Sequence, residues 1–170
     1  MTKGRARLRL FSEDLKRYPP RSFLRQPALW AIAVFRFGNF AYKLPKLIRW
    51  LGSLVYYMAF SIVRLMTGIE IPRSAKIGPG LMIHHFGGIV IHPQAEIGEN
   101  FTIRQGVTVG SRHDTDDVPR IGNNVSVGAY GQIIGNVTIG NFVTVGALTL
   151  VLEDVPDYAT AVGIPARILK

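Results

Sequence analysis

From residue 71 onward the apolar positions follow neither the 3.6-residue period of a helix nor the two-residue period of a strand. Aliphatic side chains recur every six positions, at Ile71, Ile77, Ile83 and Ile89. After a slip of two residues, placed at Ile89–Ile91, the count runs on through Ile97, Ile103 and Val109. A loop of ten residues follows, and the period resumes at Ile121, Val127, Ile133, Ile139, Val145 and Val151. Glycine follows the aliphatic residue at positions 78, 98, 110, 122, 128, 140 and 146. A phase held over such a length marks a repeat architecture. Three six-residue segments make one coil of 18 residues, which predicts a parallel β-helix. Each aliphatic residue points into a narrow prism and stacks on its equivalent in the next coil. The glycine after it permits the corner, where a side chain would clash or φ must be positive.

Residues 27–68 read differently. Leu29, Ile32, Ala33, Phe35, Arg36, Phe37 and Phe40 fit a mostly apolar helix, and Pro45 starts a second one. The second carries an uncharged run of fourteen residues, Trp50–Val63, between Arg49 and Arg64. That is short of the roughly 20 residues of a membrane span. A helix between subunits, an interfacial helix on anionic lipid and a true span are the readings it allows. The chain thus divides into a helical segment, 1–69, and a β-helix with a tail, 70–170. The helices are placed to cover one open end of the solenoid and the segment Asp157–Lys170 the other.

Composition sharpens this picture. The chain has 170 residues, 48% of them hydrophobic, enough for a core, and no Cys. Disulfides, thiolate metal sites and a Cys nucleophile are therefore excluded, and a cytoplasmic setting fits. The formal net charge of +9 lies at the front: residues 1–50 carry net +10 and residues 51–170 carry −1. Such a block attracts anionic lipid, nucleic acid or a phosphate-bearing substrate. The basic residues lack the interleaved aromatics of a nucleic-acid binder, so no nucleic-acid partner is expected. Glu13 and Asp14 interrupt the front where a secretory leader would be apolar. The four histidines, His84, His85, His92 and His113, lack the spacing of a metal-binding set. His92, at the slip, reads as a side chain capping a distorted corner.

The segments IPRSAKIGPG (71–80), GLMIHHFGGIVI (80–91), FTIRQGVTVG (101–110), IIGNVTIGNFVTVG (133–146) and VGIPARI (162–168) resemble the hexapeptide-repeat acyltransferases, and within them the serine acetyltransferase family. AVFRFGNFAYK (33–43) is similar to that family's final N-terminal helix. The resemblance implies a mainly β, left-handed parallel β-helix with an N-terminal α-helical segment, assembled as a homotrimer. It implies acetyl transfer from acetyl-CoA to a hydroxyl, without a metal. An alcohol at neutral pH needs a base to take its proton, and His suits that task. The match places this base at His85 and its orienting carboxylate at Glu70, where the family has Asp, one methylene shorter. Gly110 supplies backbone amides near the thioester. Ala129 and Ala147 match the small residues that line the pantetheine slot, Pro165 and Arg167 match the closing tail, and Arg120 or Arg167 meets phosphate.

Two departures bear on the acceptor. The family has Asp-His where this chain has His84-His85, and Arg-His-Pro where it has Asp117-Val118-Pro119. The handles for the serine ammonium and carboxylate are both missing, and a site that loses such partners loses discrimination. This favours the exopolysaccharide and colanic-acid-type branch, which acetylates sugar hydroxyls, with His84, His113 and Asp117 toward the acceptor. A lipid-linked saccharide at the inner face of the cytoplasmic membrane, met through residues 1–64, would suit the basic front. The alternatives are a serine O-acetyltransferase of cysteine biosynthesis and a non-catalytic β-helical scaffold at a membrane surface.

Overall fold

A computed structural model of the chain describes residues 5–113 and 117–169, with the side chains of residues 5–9 and of Leu24 left aside. Three helices precede the solenoid: α1 (Arg5–Lys16), α2 (Pro27–Ala41) and α3 (Lys46–Thr67). Proline sets both later starts. Pro27 is the first residue of α2, where its missing N–H costs nothing, and Pro45 caps α3. Helix α3 ends at Gly68, in the left-handed conformation at φ 63°, with its N–H on the Arg64 carbonyl at 2.8 Å. A Cβ there would lie 3.0 Å from the Gly88 nitrogen.

The solenoid begins one residue later. Its first coil is β1 (Ile69–Glu70), β2 (Lys76–Ile77) and β3 (Met82–His84), and its second is β4 (Ile89–Ile91), β5 (Glu96–Ile97) and β6 (Thr102–Arg104). The third is β7 (Thr108–Gly110), β8 (Arg120–Ile121) and β9 (Ser126–Val127), and the fourth β10 (Gln132–Ile134), β11 (Thr138–Ile139) and β12 (Thr144–Val145). Strands β13 (Leu150–Val151) and β14 (Thr160–Val162) close the stack, and β15 (Arg167–Leu169) returns antiparallel on β14. Equivalent strands pair in parallel, giving sheet A (β1, β4, β7, β10, β13), sheet B (β2, β5, β8, β11) and sheet C (β3, β6, β9, β12, β14 with β15). The offset between paired residues is 18 where the period is unbroken, as in Gln132↔Leu150. It is 24 across the long loop, as in Glu96↔Arg120. Every aliphatic residue of the six-residue series lies inside the prism, none more than 7% exposed.

Two details differ from the sequence reading. The extra two residues sit in the corner between β3 and β4, not at Ile89–Ile91. Val90 pairs with Thr108 at the regular offset, whereas His84 pairs with Arg104 at 20. The corner glycines are required by close approach rather than by φ: a Cβ on Gly98 would lie 2.8 Å from the Gly122 carbonyl. Positive φ falls two residues later, on Asn100, Asn124, Phe142 and Tyr158. Asparagine tolerates that conformation, and the side chains knit the coils together. Asn123 Oδ1 accepts from the Glu99 N–H at 2.8 Å, and Asn141 Oδ1 from the Asn123 N–H at 2.9 Å.

The helices close the open N-terminal edge through polar side chains. Asp14, fully buried, accepts from Arg36 Nε at 2.7 Å and from the Leu81 N–H at 2.8 Å. Arg36 also donates to the carbonyls of Ile77 and Gly78, and Arg17 to that of Gly80. The Tyr18 hydroxyl takes the Ile83 N–H at 2.7 Å, and burial pushes its phenol up to about 12. Strand-edge groups that would otherwise be buried unpaired are thereby satisfied. Arg73 fastens α3, its guanidinium over the rings of Tyr42, Tyr56 and Tyr57 at 4.8–5.1 Å, with Nη1 on Ser53 Oγ at 3.0 Å.

Helix α3 has 22 residues, long and apolar enough to cross a membrane, yet one face is fixed to α2 and the first coil. The opposite face runs through Leu47, Leu51, Leu54, Met58, Ile62 and Leu65, all exposed.

Candidate active site

The candidate base, His85, occupies the lengthened corner between sheets C and A. It is exposed and holds φ 60°, a left-handed conformation that a non-glycine residue adopts only when its surroundings impose it. The corners stack: the Gly106 N–H donates to the Gly87 carbonyl at 2.8 Å, and the Tyr130 N–H to that of Gln105 at 2.9 Å. Tyr130 and Leu148 hold the same left-handed backbone at the equivalent corners below. Ala129 and Ala147 stand beside them, joined by the Leu148 N–H on the Ala129 carbonyl at 2.9 Å. The tail crosses this same edge. The Leu150 N–H reaches the Gly163 carbonyl at 3.0 Å and the Ala166 N–H reaches that of Leu150 at 2.8 Å. Pro165 and Arg167 are exposed there. One edge of the prism therefore gathers His84, His85, Ala129, Ala147, Pro165 and Arg167.

Glu70 lies on the outer face of sheet A, paired in register with Val90, five residues beyond His85. Its carboxylate meets Arg64 Nη1 of α3 at 3.5 Å, and Arg64 also leans over the Phe60 ring. No hydrogen bond joins Glu70 to His85 among the described residues. His84 is half-buried at the end of β3, and burial first, then the charges of Arg104, His85 and Arg17, hold its imidazole below the ordinary histidine range. It is therefore a neutral group near pH 7.

The other candidates lie elsewhere. Gly110 ends β7 at the A-to-B corner, its carbonyl taking the Gly135 N–H at 2.9 Å. His113 is exposed and Asp117 half-buried in the loop beyond, while Asp114, Thr115 and Asp116 fall outside the described residues. Arg120 stands on sheet B, in register with Glu96 and Thr138, and so not on the His85 edge of the same chain. It lines a groove of about 1230 Å³ along sheet B, bounded also by Tyr57, Arg73, Asn141 and Asp157 and touching neither Glu70 nor His85. Lys76 and Glu96 in that groove already neutralise one another. His92 Nδ1 accepts from the Gln94 N–H at 3.3 Å, a local turn cap. No group of three His, Asp or Glu side chains among the described residues is placed to hold a metal.

Three side chains near the corner escape a reading by motif: Arg64, Arg104 and Gln105. Only Arg104 had a usable signal, because the coil offset with its two extra residues sets it directly over His84.

No protein-family model matches the chain. Among curated proteins it is 43% identical over 132 residues to a serine acetyltransferase of Staphylococcus epidermidis, covering 76% of this chain and 61% of that one. It is 46% identical over 116 residues to a serine acetyltransferase of Staphylococcus aureus, covering 64% of this chain and 52% of that one. The chain thus spans about three fifths of the length of the first of these relatives, and half of the second. Among solved structures, soybean serine acetyltransferase superposes with a TM-score of 0.84 at 29% identity, over 97% of this chain and 69% of that one. The serine acetyltransferase of Neisseria gonorrhoeae gives 0.82 at 28% identity, over 98% and 66%. A serine acetyltransferase in complex with CoA gives 0.82 at 29%, over 97% and 70%.

These likenesses overturn the assignment to sugar acetylation in exopolysaccharide biosynthesis. That assignment rested on His84 and on Asp117-Val118, and three positions do not outweigh identity of this order along the solenoid. By fold and by sequence, the chain is similar to serine acetyltransferases, which are hexapeptide-repeat proteins.

Proposed function

We propose that the chain transfers acetyl from acetyl-CoA to the hydroxyl of L-serine. The observation that carries this reading is the 43% identity over 132 residues to a serine acetyltransferase. His85 takes the serine hydroxyl proton as the oxygen attacks the thioester carbonyl. The C–S bond then breaks, the proton returns to the departing sulfur, and O-acetylserine and CoA result. Glu70, held by Arg64, orients the imidazole and stabilises it when charged. Ala129 and Ala147 leave room for the pantetheine arm at the His85 edge, and Arg167 is in reach of its phosphates. Arg120, on sheet B, would act on phosphate only at the site of a neighbouring copy in a homotrimer. Free-thiol release from acetyl-CoA tests the reaction. L-serine should drive turnover, and His85→Ala should lower it about 10²–10⁴-fold. Serine-independent release, or full activity in His85→Ala, would overturn it.

The uncharged face of α3 beside Lys43, Lys46 and Arg49 supports a second element, contact with an anionic membrane surface. The net +10 of residues 1–50 supplies the attraction. The same purified chain should sediment with phosphatidylglycerol vesicles at low salt and not with phosphatidylcholine. Equal recovery with both would refute this contact.

A further inference from the structure

The site has to recognise an amino acid at both ends, and the two positions expected to do so hold His84 and Asp117-Val118. We infer that Arg104 binds the acceptor's carboxylate, taking over the role that the long loop lacks. This rests on the serine reading above and adds a specificity-determining residue to it.

Three observations converge on Arg104. It ends β6, and its Cα is the register partner of His84, so the guanidinium stands one coil from the candidate base. The β6 pattern is half-buried, buried, half-buried, which turns Ile103 inward and leaves Arg104 on the outer face with its charge partly shielded from water. None of the four ion pairs among the described residues includes it: Asp14, Glu13, Glu70 and Glu96 are met by Arg36, Lys16, Arg64 and Lys76. Its polar neighbours are not anions either. His84 is a neutral imidazole, and Arg17 is spent on the Gly80 carbonyl and Thr102 Oγ1. A half-buried arginine outside these ion pairs, in register with the neighbour of the candidate base, can receive a carboxylate and grip it with two parallel N–H bonds. The next residue adds the complementary half. Gln105 Oε1 is buried and has no hydrogen-bond partner among the described residues, an acceptor suited to an ammonium N–H.

The test compares L-serine with L-serinamide, which keeps the hydroxyl and the amine but carries no carboxylate. The wild-type chain should prefer L-serine. Arg104→Gln should raise the KM for L-serine about ten- to a hundred-fold, the range for loss of a charge-assisted pair. It should leave the KM for acetyl-CoA and the rate on serinamide within about two-fold, and Arg104→Lys should recover part of the preference. Circular dichroism melts identify a variant that fails through misfolding, and the Lys variant then carries the comparison. If Arg104→Gln leaves the serine-to-serinamide ratio unchanged while the wild-type chain turns over serine, the assignment of Arg104 is wrong and the serine reading stands. If the wild-type chain neither binds nor acetylates serine, both fall.

Discussion

The solenoid is held by one repeated apolar contact, whereas the helical cap combines apolar packing with a few specific polar attachments. Residues 69–169 repeat one motif, an aliphatic side chain turned into a prism, and each coil contributes a small, similar share. The cap, residues 5–67, packs Leu29, Ile32 and Phe35 into the end of the same core and adds a few polar attachments: Asp14, Arg36, Arg17 and Tyr18 meet strand-edge groups, and the Tyr56 hydroxyl takes the Arg73 N–H. Damage should therefore stay local and moderate in the solenoid, and be severe at the cap's attachments. The candidate site lies where the two meet, since Glu70 is the second residue of the solenoid and its partner Arg64 is in the last turn of α3.

The largest effect that would test this contrast is expected from Asp14→Ala. It strands the Arg36 guanidinium, only 6% exposed, and leaves the Leu81 N–H without its acceptor. Breaking a buried pair from one side costs about 3–5 kcal/mol, read as a fall in chemical-denaturation midpoint. A loss under about 1 kcal/mol would show that the helices are held by apolar contact instead.

A smaller effect, visible only in alkali, comes from Tyr18. Its phenol titrates at about 12 in the folded chain and near 10 when unfolded. The folded state therefore holds its proton longer. The associated stability is complete below pH 10 and drains away as pH rises toward 12, by about 2–3 kcal/mol. Tyr18→Phe should be less stable than the wild-type chain at neutral pH and should lack this part of the alkaline decline. Parallel stability curves for the two chains between pH 9 and 12 would remove Tyr18 from the attachment set.

The smallest of the three concerns the repeat. Asn124→Ala leaves a Cβ residue at φ 58° and removes the acceptor of Asn100 Nδ2 at 3.1 Å. About 1–2 kcal/mol is expected from the backbone alone, with activity unchanged. A cost equal to that of Asp14→Ala would erase the distinction between the two regions.

Helix starts, the coil and its inward residues were legible in the sequence because they depend on local propensity and on a period that repeats. Pro27 and Pro45 mark α2 and α3, and Ile71 to Val151 trace the prism wall. His85 was legible through its motif. Helix α1 was legible only as part of the basic helical segment 1–69; that Phe11 and Leu15 turn onto the core is a property of the assembled structure. The missing Asp and Arg-His are visible in the sequence and pointed to a sugar, whereas Arg104 stands out only once the coil offset with its two extra residues sets it over His84.

The sequence by itself determined that this chain winds into a hexapeptide-repeat solenoid, because a six-residue aliphatic period satisfies no other arrangement of short strands. Only the tertiary structure decided how the ends are closed and which charges meet at the His85 corner. Asp14 with Leu81 and Arg64 with Glu70 are contacts between residues that no local rule couples, and Arg104 is set beside His84 by coil register. Their pairing depends on where a two-residue insertion falls and on how three helices settle over an open strand edge, and those are properties of the assembled coil.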